Sequence, residues 1–100
     1  MLKRVTPENL KNLSEGEAFL TAGKITKVNA QENRTIISIG ETSLIHFNKT
    51  SIKQGDTARI TGRQGREMPI ADSIHKVNEK YPQLLKTQKE EQLVEDLGGI

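Results

Sequence analysis

Residues 53–63 read KQGDTARITGR. A Gly-Asp turn leads into the cleanest alternation of the chain. Ala58, Ile60 and Gly62 fall on one side, and Thr57, Arg59, Thr61 and Arg63 on the other. A period of two with one wet side is the pattern of a strand that lines a core with one face only. Three other stretches share it. Residues 20–28 (LTAGKITKV) carry Gly23 inside a strand pattern, where a glycine marks a bulge or sharp bend. Residues 34–48 (RTIISIGETSLIHFN) split at Gly40-Glu41 into two strands, 34–39 and 42–47. Residues 68–77 (MPIADSIHKV) close the set, and Pro69 restricts that strand to an edge or rim.

These four stretches, glycine-bearing first strand, hairpin, late "GD-x-hydrophobic-x-hydrophobic-x-G" strand and rim strand, resemble the oligonucleotide-binding (OB) barrel of the anticodon-binding and replication-protein-A type. The resemblance implies a mostly β fold, a five-stranded Greek-key barrel over residues 17–78. Ile37 and Ile39 are expected inside, with Ile36 outside beside Arg34. Ile45 and Phe47 are read as sharing one face of the third strand, and Leu44 and His46 the other. Ala58, Ile60 and Gly62 face in, followed by Met68, Ile70 and Ile74 on the last strand. Residues 48–54 are too few for the full helix that many such barrels insert there. A loop or a turn of 3₁₀ helix is expected, with Ile52 plugging the barrel end.

Short helices flank the barrel pattern. Thr6-Pro7-Glu8 reads as an N-cap, a proline at the first helical position and an acid at the positive end of the helix. Residues 1–16 thus form a helical cap, with Leu10 and Leu13 on one face and Gly16 as its stop. Residues 79–100 read as a C-terminal helix opened by Tyr81-Pro82 and ended by Gly98-Gly99. Its apolar positions form two groups, Leu84 and Leu85 on one side and Leu93, Val94 and Leu97 roughly opposite. Two such faces suit two different neighbours.

One hundred residues make one small domain. With no cysteine there are no disulfides and no thiolate metal sites, and two histidines are too few for a zinc site. No metal or other cofactor is expected. The N-terminal residues lack the apolar core of a signal peptide and no run reaches membrane-spanning length. A soluble intracellular protein is expected, cytoplasmic in a prokaryote or nuclear in a eukaryote, with no membrane partner. The net charge of +2 conceals a gradient. Residues 17–78 carry nine basic against six acidic side chains, whereas residues 79–100 carry three against five. A basic barrel suits a polyanion, because neutralised phosphates release counterions.

No catalytic constellation is present: no nucleophile with its base, no phosphate-cradling glycine loop, no paired carboxylates in apolar sequence. The chain is read as a binding protein, not an enzyme. In OB barrels the ligand groove crosses the second and third strands, rimmed by the loops between strands one and two and between strands four and five. On matching positions the cationic track is Lys24, Lys27 and Arg34, with Arg59, Arg63 and Arg66 around the later hairpin. The alternative is that these are solubilising charges. Lys49, Lys53 and Lys76 are more peripheral. His46 is a candidate stacking ring above Ile36 and Leu44, or an ordinary exposed histidine. Of the three aromatic residues, Phe19 and Phe47 are assigned to the core.

A barrel this poor in exposed rings binds single strands weakly, since each stacked base contributes about 1–3 kcal/mol. The layout of short helix, bare barrel and C-terminal helix is similar to the smallest subunit of replication protein A and to the small OB subunit of CST-type telomere complexes. That resemblance implies a larger OB-fold partner, bound through Tyr81, Leu84, Leu85, Leu93, Val94 and Leu97. Three functions are open: single-stranded DNA binding within such an assembly, stand-alone RNA or tRNA binding, and a purely structural subunit.

Overall fold

Proline at position 7 fixes φ and lacks the N–H that a first helical turn leaves unused, and a 3₁₀ helix runs from Pro7 to Asn12. Thr6 is its N-cap, but the hydroxyl accepts from Asn9 Nδ2 at 2.9 Å instead of from a backbone N–H. Leu10 is the residue this helix buries. The structure, a computed structural model, describes residues 2–83. Its strands are β1 (Lys3–Arg4), β2 (Ala18–Lys24), β3 (Lys27–Ala30), β4 (Thr35–Ile39), β5 (Thr42–His46), β6 (Thr57–Gln64) and β7 (Pro69–Lys76). They form one sheet in the order β1-β2-β6-β7-β5-β4-β3.

Seven strands replace the expected five. The first strand is broken at Ile25-Thr26 into β2 and β3, which stand at different places in the sheet. β1 is an addition, parallel to β2 through Lys3↔Phe19 and Arg4↔Leu20. The break is where the sheet curls. Ile25 N–H donates to Asp56 O at 2.7 Å on the β6 side, and Thr26 N–H donates to Ser38 O at 2.8 Å on the β4 side. Gly23, expected to supply the bend, lies two residues earlier and serves a different purpose. A Cβ there would stand 2.6 Å from Ile39 Cγ2, so its absence lets β2 and β4 approach.

The core gathers Leu10, Phe19, Ile25, Ile37, Leu44, Ile52, Ala58, Ile60 and Ala71. Ile52 seals one end from the loop between β5 and β6, which contains no helix. The expected inward set on the last strand is corrected. With a register shift opposite Thr61/Gly62, Pro69 and Ala71 are buried and Ile74 packs against the core, while Ile70 faces the other way. A second apolar cluster, Leu20, Ala22, Val77 and Tyr81, covers the opposite side of β2. A helical turn begins at Tyr81. The predicted C-terminal helix otherwise lies outside the described residues, as do Leu84, Leu85, Leu93, Val94 and Leu97.

Two carboxylates tie the connections down. Glu17 holds Lys3 in an ion pair and accepts from Ser14 N–H at 2.7 Å, and these interactions lower its pKa, the Lys3 hydrogen bond most. Asp56 accepts from Lys53 N–H at 2.9 Å, which lowers its pKa against the opposing desolvation. A carboxyl with a depressed folded pKa stabilises above its unfolded value, and the contribution fades as pH falls through the folded value. Stability to urea is therefore expected to fall below about pH 4, with Glu17→Gln flattening that loss. Gly62→Ala should be far costlier at every pH, because the new Cβ would overlap the Ile70 carbonyl. Overpacking against fixed backbone predicts a loss of about 3 kcal/mol or more, read from the denaturation midpoint.

Candidate nucleic-acid interface

Directly opposed residues of paired strands project to the same side, so register decides which residues share the outer face. Ile37↔Leu44 and Thr35↔His46 point inward, whereas Ile36↔Ile45 and Ser38↔Ser43 point outward. Lys27↔Ser38 and Asn29↔Ile36 extend that outer face onto β3, and Ile45↔Ile70 extends it onto β7. Its centre is a row of three isoleucines, Ile36 and Ile70 half-buried and Ile45 between them buried at 6% exposure, flanked by serines that contact each other at 3.2 Å. No ring stands on this centre.

The structure reverses the reading of β5. His46 is buried at 7% exposure, and its Nδ1 donates to the Ala71 carbonyl at 2.8 Å. It is not a surface platform, and Leu44 beneath it is core. Phe47, expected inside, is 56% exposed. It sits just past the end of β5, against the β3–β4 hairpin, in a cleft lined with Arg34, Asn48 and Lys49. Phe47 and Lys49 are the candidate residues that sequence reasoning missed. The signal was there in outline, a ring followed by Asn-Lys at a strand exit.

The predicted cationic track is divided. Lys27 lies on the outer face of β3 and Arg34 at its rim, its Nε donating to Gln31 Oε1 at 2.8 Å. Lys24 and Arg59 lie elsewhere. Arg59 is opposite Ala22 of the second apolar cluster, and Lys24 follows Ala22 on the same side of β2. Arg59 Nε donates to Tyr81 OH at 3.0 Å. Tyr81 itself is 3% exposed, which corrects its assignment as a partner-binding residue: its ring packs on its own barrel. Arg63 pairs with Asp72 at 3.0 Å across β6 and β7. Arg66, at the tip of the β6–β7 hairpin, shares a cleft with Lys11 and with Glu8, Glu15, Glu41 and Glu67. Four carboxylates against two cations make that rim unfavourable to phosphate. The cations available to a polyanion are thus concentrated at the β3–β4 end, not across both hairpins.

Among the described residues no group of three His, Asp or Glu is placed to hold a metal ion, and no helix is long and apolar enough to cross a membrane.

Solved structures share this architecture. The telomere capping protein Ten1 from Saccharomyces pombe is 14% identical, over 86% of this chain and 95% of that one, with a TM-score of 0.62. A chain of the S. pombe Stn1–Ten1 complex is also 14% identical, over 86% and 90%, with a TM-score of 0.63. The hypothetical protein YgiW from E. coli is 15% identical, over 75% and 90%, with a TM-score of 0.56. No protein-family model matches the chain, and no curated protein matches it. At such identities the likeness is one of fold. The chain has an OB-type fold, similar in architecture to the telomere capping protein Ten1.

Tyr81 anchors the exit of the chain to the barrel flank, and its hydroxyl is the specific part of that anchor. Tyr81→Phe should cost about 1 kcal/mol in urea denaturation, the worth of one part-buried hydrogen bond. Tyr81→Ala should cost several times more, because the second apolar cluster loses its ring.

Proposed function

We propose that this chain is the small OB subunit of an assembly that binds single-stranded DNA, in DNA replication, repair or telomere maintenance. Its partner is a larger OB-fold protein. The observation that carries this reading is the make-up of the outer face. It has the OB groove's position on β4 and β5, yet aliphatic residues stand at its centre and one ring at its margin. A solitary OB binder holds successive bases on several rings, each contributing about 1–3 kcal/mol. A barrel with one such ring needs affinity from elsewhere, and a second OB subunit supplies it. The likeness to Ten1, which has been solved together with Stn1, supports the same arrangement. The chain acts inside the cell as a binding module, without catalysis of its own.

Native pull-down of the full chain from its source cell, with and without nuclease, tests the assembly. Retention of a larger OB-fold protein after nuclease treatment is expected. A chain recovered alone would contradict the proposal, as would a partner lost on nuclease treatment, which makes nucleic acid the only bridge. The isolated chain should bind a single-stranded oligonucleotide weakly, with affinity falling as salt rises. Because Arg63 is paired with Asp72, and Arg66 shares its rim with four glutamates, Arg63→Gln with Arg66→Gln should leave that affinity within about twofold.

A further inference from the structure

The cleft between the β3–β4 hairpin and the exit of β5 brings a ring, two cations and several amides together. Phe47 contributes its ring, 56% exposed, and is the single apolar residue lining the cleft among the described residues. Around it stand Arg34 and Lys49, with Asn33 and Asn48 supplying amides and Glu32 the one carboxylate. The Arg34 guanidinium is not swinging freely, since its Nε is held by Gln31 Oε1 at 2.8 Å, which leaves its terminal amino groups to point elsewhere. A flat hydrophobic face flanked by two cations and several amides matches one ligand class closely. A nucleobase stacks on the ring, and its adjoining phosphate meets the guanidinium and the ammonium. A protein contact built around a phenylalanine has a different form, an apolar patch that surrounds the anchor and excludes water. Here the surroundings are polar on all sides.

We infer that this rim cleft is a site for one unpaired nucleotide, base on Phe47 and phosphate on Arg34 and Lys49, and that nucleic acid is gripped here and not along the centre of the β4–β5 face. The inference rests on the nucleic-acid part of the proposed function and deepens it. Two features of the barrel restrict the grip to this end. The centre of the face offers only the half-buried Ile36 and Ile70 over a buried Ile45, and none of the three has a π-face to stack on. The opposite rim, around Arg66, is crowded by Glu8, Glu15, Glu41 and Glu67. A strand leaving the Phe47 cleft therefore meets an aliphatic strip and then an acidic one. The footprint is short, and Glu32 weakens even this site, so Glu32→Gln should tighten binding.

The test uses the full chain and fluorescence-labelled oligomers of thymidine or uridine, about 12 nucleotides long to cover the span of one OB fold, at low salt. Phe47→Leu should weaken binding roughly 5- to 150-fold, the range that one stacked base spans, and Phe47→Tyr should retain it. Arg34→Gln and Lys49→Gln should each flatten the dependence of log affinity on log salt by about 0.7. The chain has no tryptophan, so F47W introduces a single reporter whose emission should be quenched when a base stacks on it. Because Phe47 is exposed, denaturation midpoints of these variants should match the wild type, which separates a lost site from a lost fold. Loss in either oligomer supports the site, and the tighter wild-type oligomer identifies the polymer. Salt-dependent wild-type binding that Phe47→Leu leaves intact would overturn the site while leaving the proposed function standing. Unchanged oligomer binding with loss of the protein partner would overturn it as well, and would make Phe47 a subunit contact. Absence of any wild-type binding would overturn both the site and the nucleic-acid reading it rests on.

Discussion

The N–H of Ile25 donates to Asp56 at 2.7 Å and its carbonyl accepts from Gly55 N–H at 2.8 Å, while the next N–H, that of Thr26, donates to Ser38 at 2.8 Å. The Thr26 hydroxyl then accepts from Gly40 N–H at 3.1 Å and contacts the Ser38 carbonyl at the same distance. Two consecutive residues thus bind the two sides of the sheet that β2 and β3 separately join. Without this corner the β2–β6 and β3–β4 pairs would be joined only through β7 and β5, at opposite ends of one open sheet. Ile25 fills the space so enclosed, at 1% exposure. The corner explains why a chain with so few aromatic residues has a core at all. Curling one sheet on itself buries aliphatic side chains of β4, β5, β6 and β7 against Phe19 of β2, where a flat sheet of this length would leave one face bare.

The same curl fixes what the outside can do. Once Ile37 and Leu44 are turned in, register leaves no choice but to present Ile36 and Ile45 outward, and β7 adds Ile70 beside them. The strand exit at Phe47 is then free of the ladder, and the hairpin carrying Arg34 stands next to it. The cations follow a similar rule. Two arginines inside the sheet are engaged by the structure, Arg63 with Asp72 and Arg59 with Tyr81, whereas Arg34 and Lys49 sit on connections. Function drawn to loops on a rigid scaffold is the general pattern of small β folds.

Much of the barrel was readable in the sequence, because alternation is strongest where a strand has one dry and one wet side. β6 shows this best: Ala58, Ile60 and Gly62 are buried as their spacing demands. Pro7 does begin the first helix, but Pro69 begins β7, the middle strand of the sheet and not the edge or rim strand expected; as the first residue of the strand it is tolerated there. β5 was misread for a physical reason. In Leu44-Ile45-His46-Phe47 each face holds one aliphatic residue and one ring, so periodicity is satisfied by either phase, and only pairing with Ile37 and Thr35 breaks the tie. β1 carries no local signal, being two charged residues held by β2 and by the Lys3–Glu17 pair. Pairings across the chain were equally illegible. Arg63 was read as a phosphate ligand because Asp72 lies nine residues away in sequence, and Tyr81 as a partner contact because nothing local places it on Leu20 and Ala22.

As proposed above, nucleic acid is gripped at one rim of this OB barrel while the middle of its groove stays unused. Amide chemical shifts of the full chain, followed as a thymidine oligomer is added, report every position of the surface at once. The largest shifts are expected to cluster at Arg34, Phe47, Asn48 and Lys49, with Ile36, Ile45 and Ile70 little changed. Shifts centred on Ile36, Ile45 and Ile70, with Phe47 silent, would contradict it.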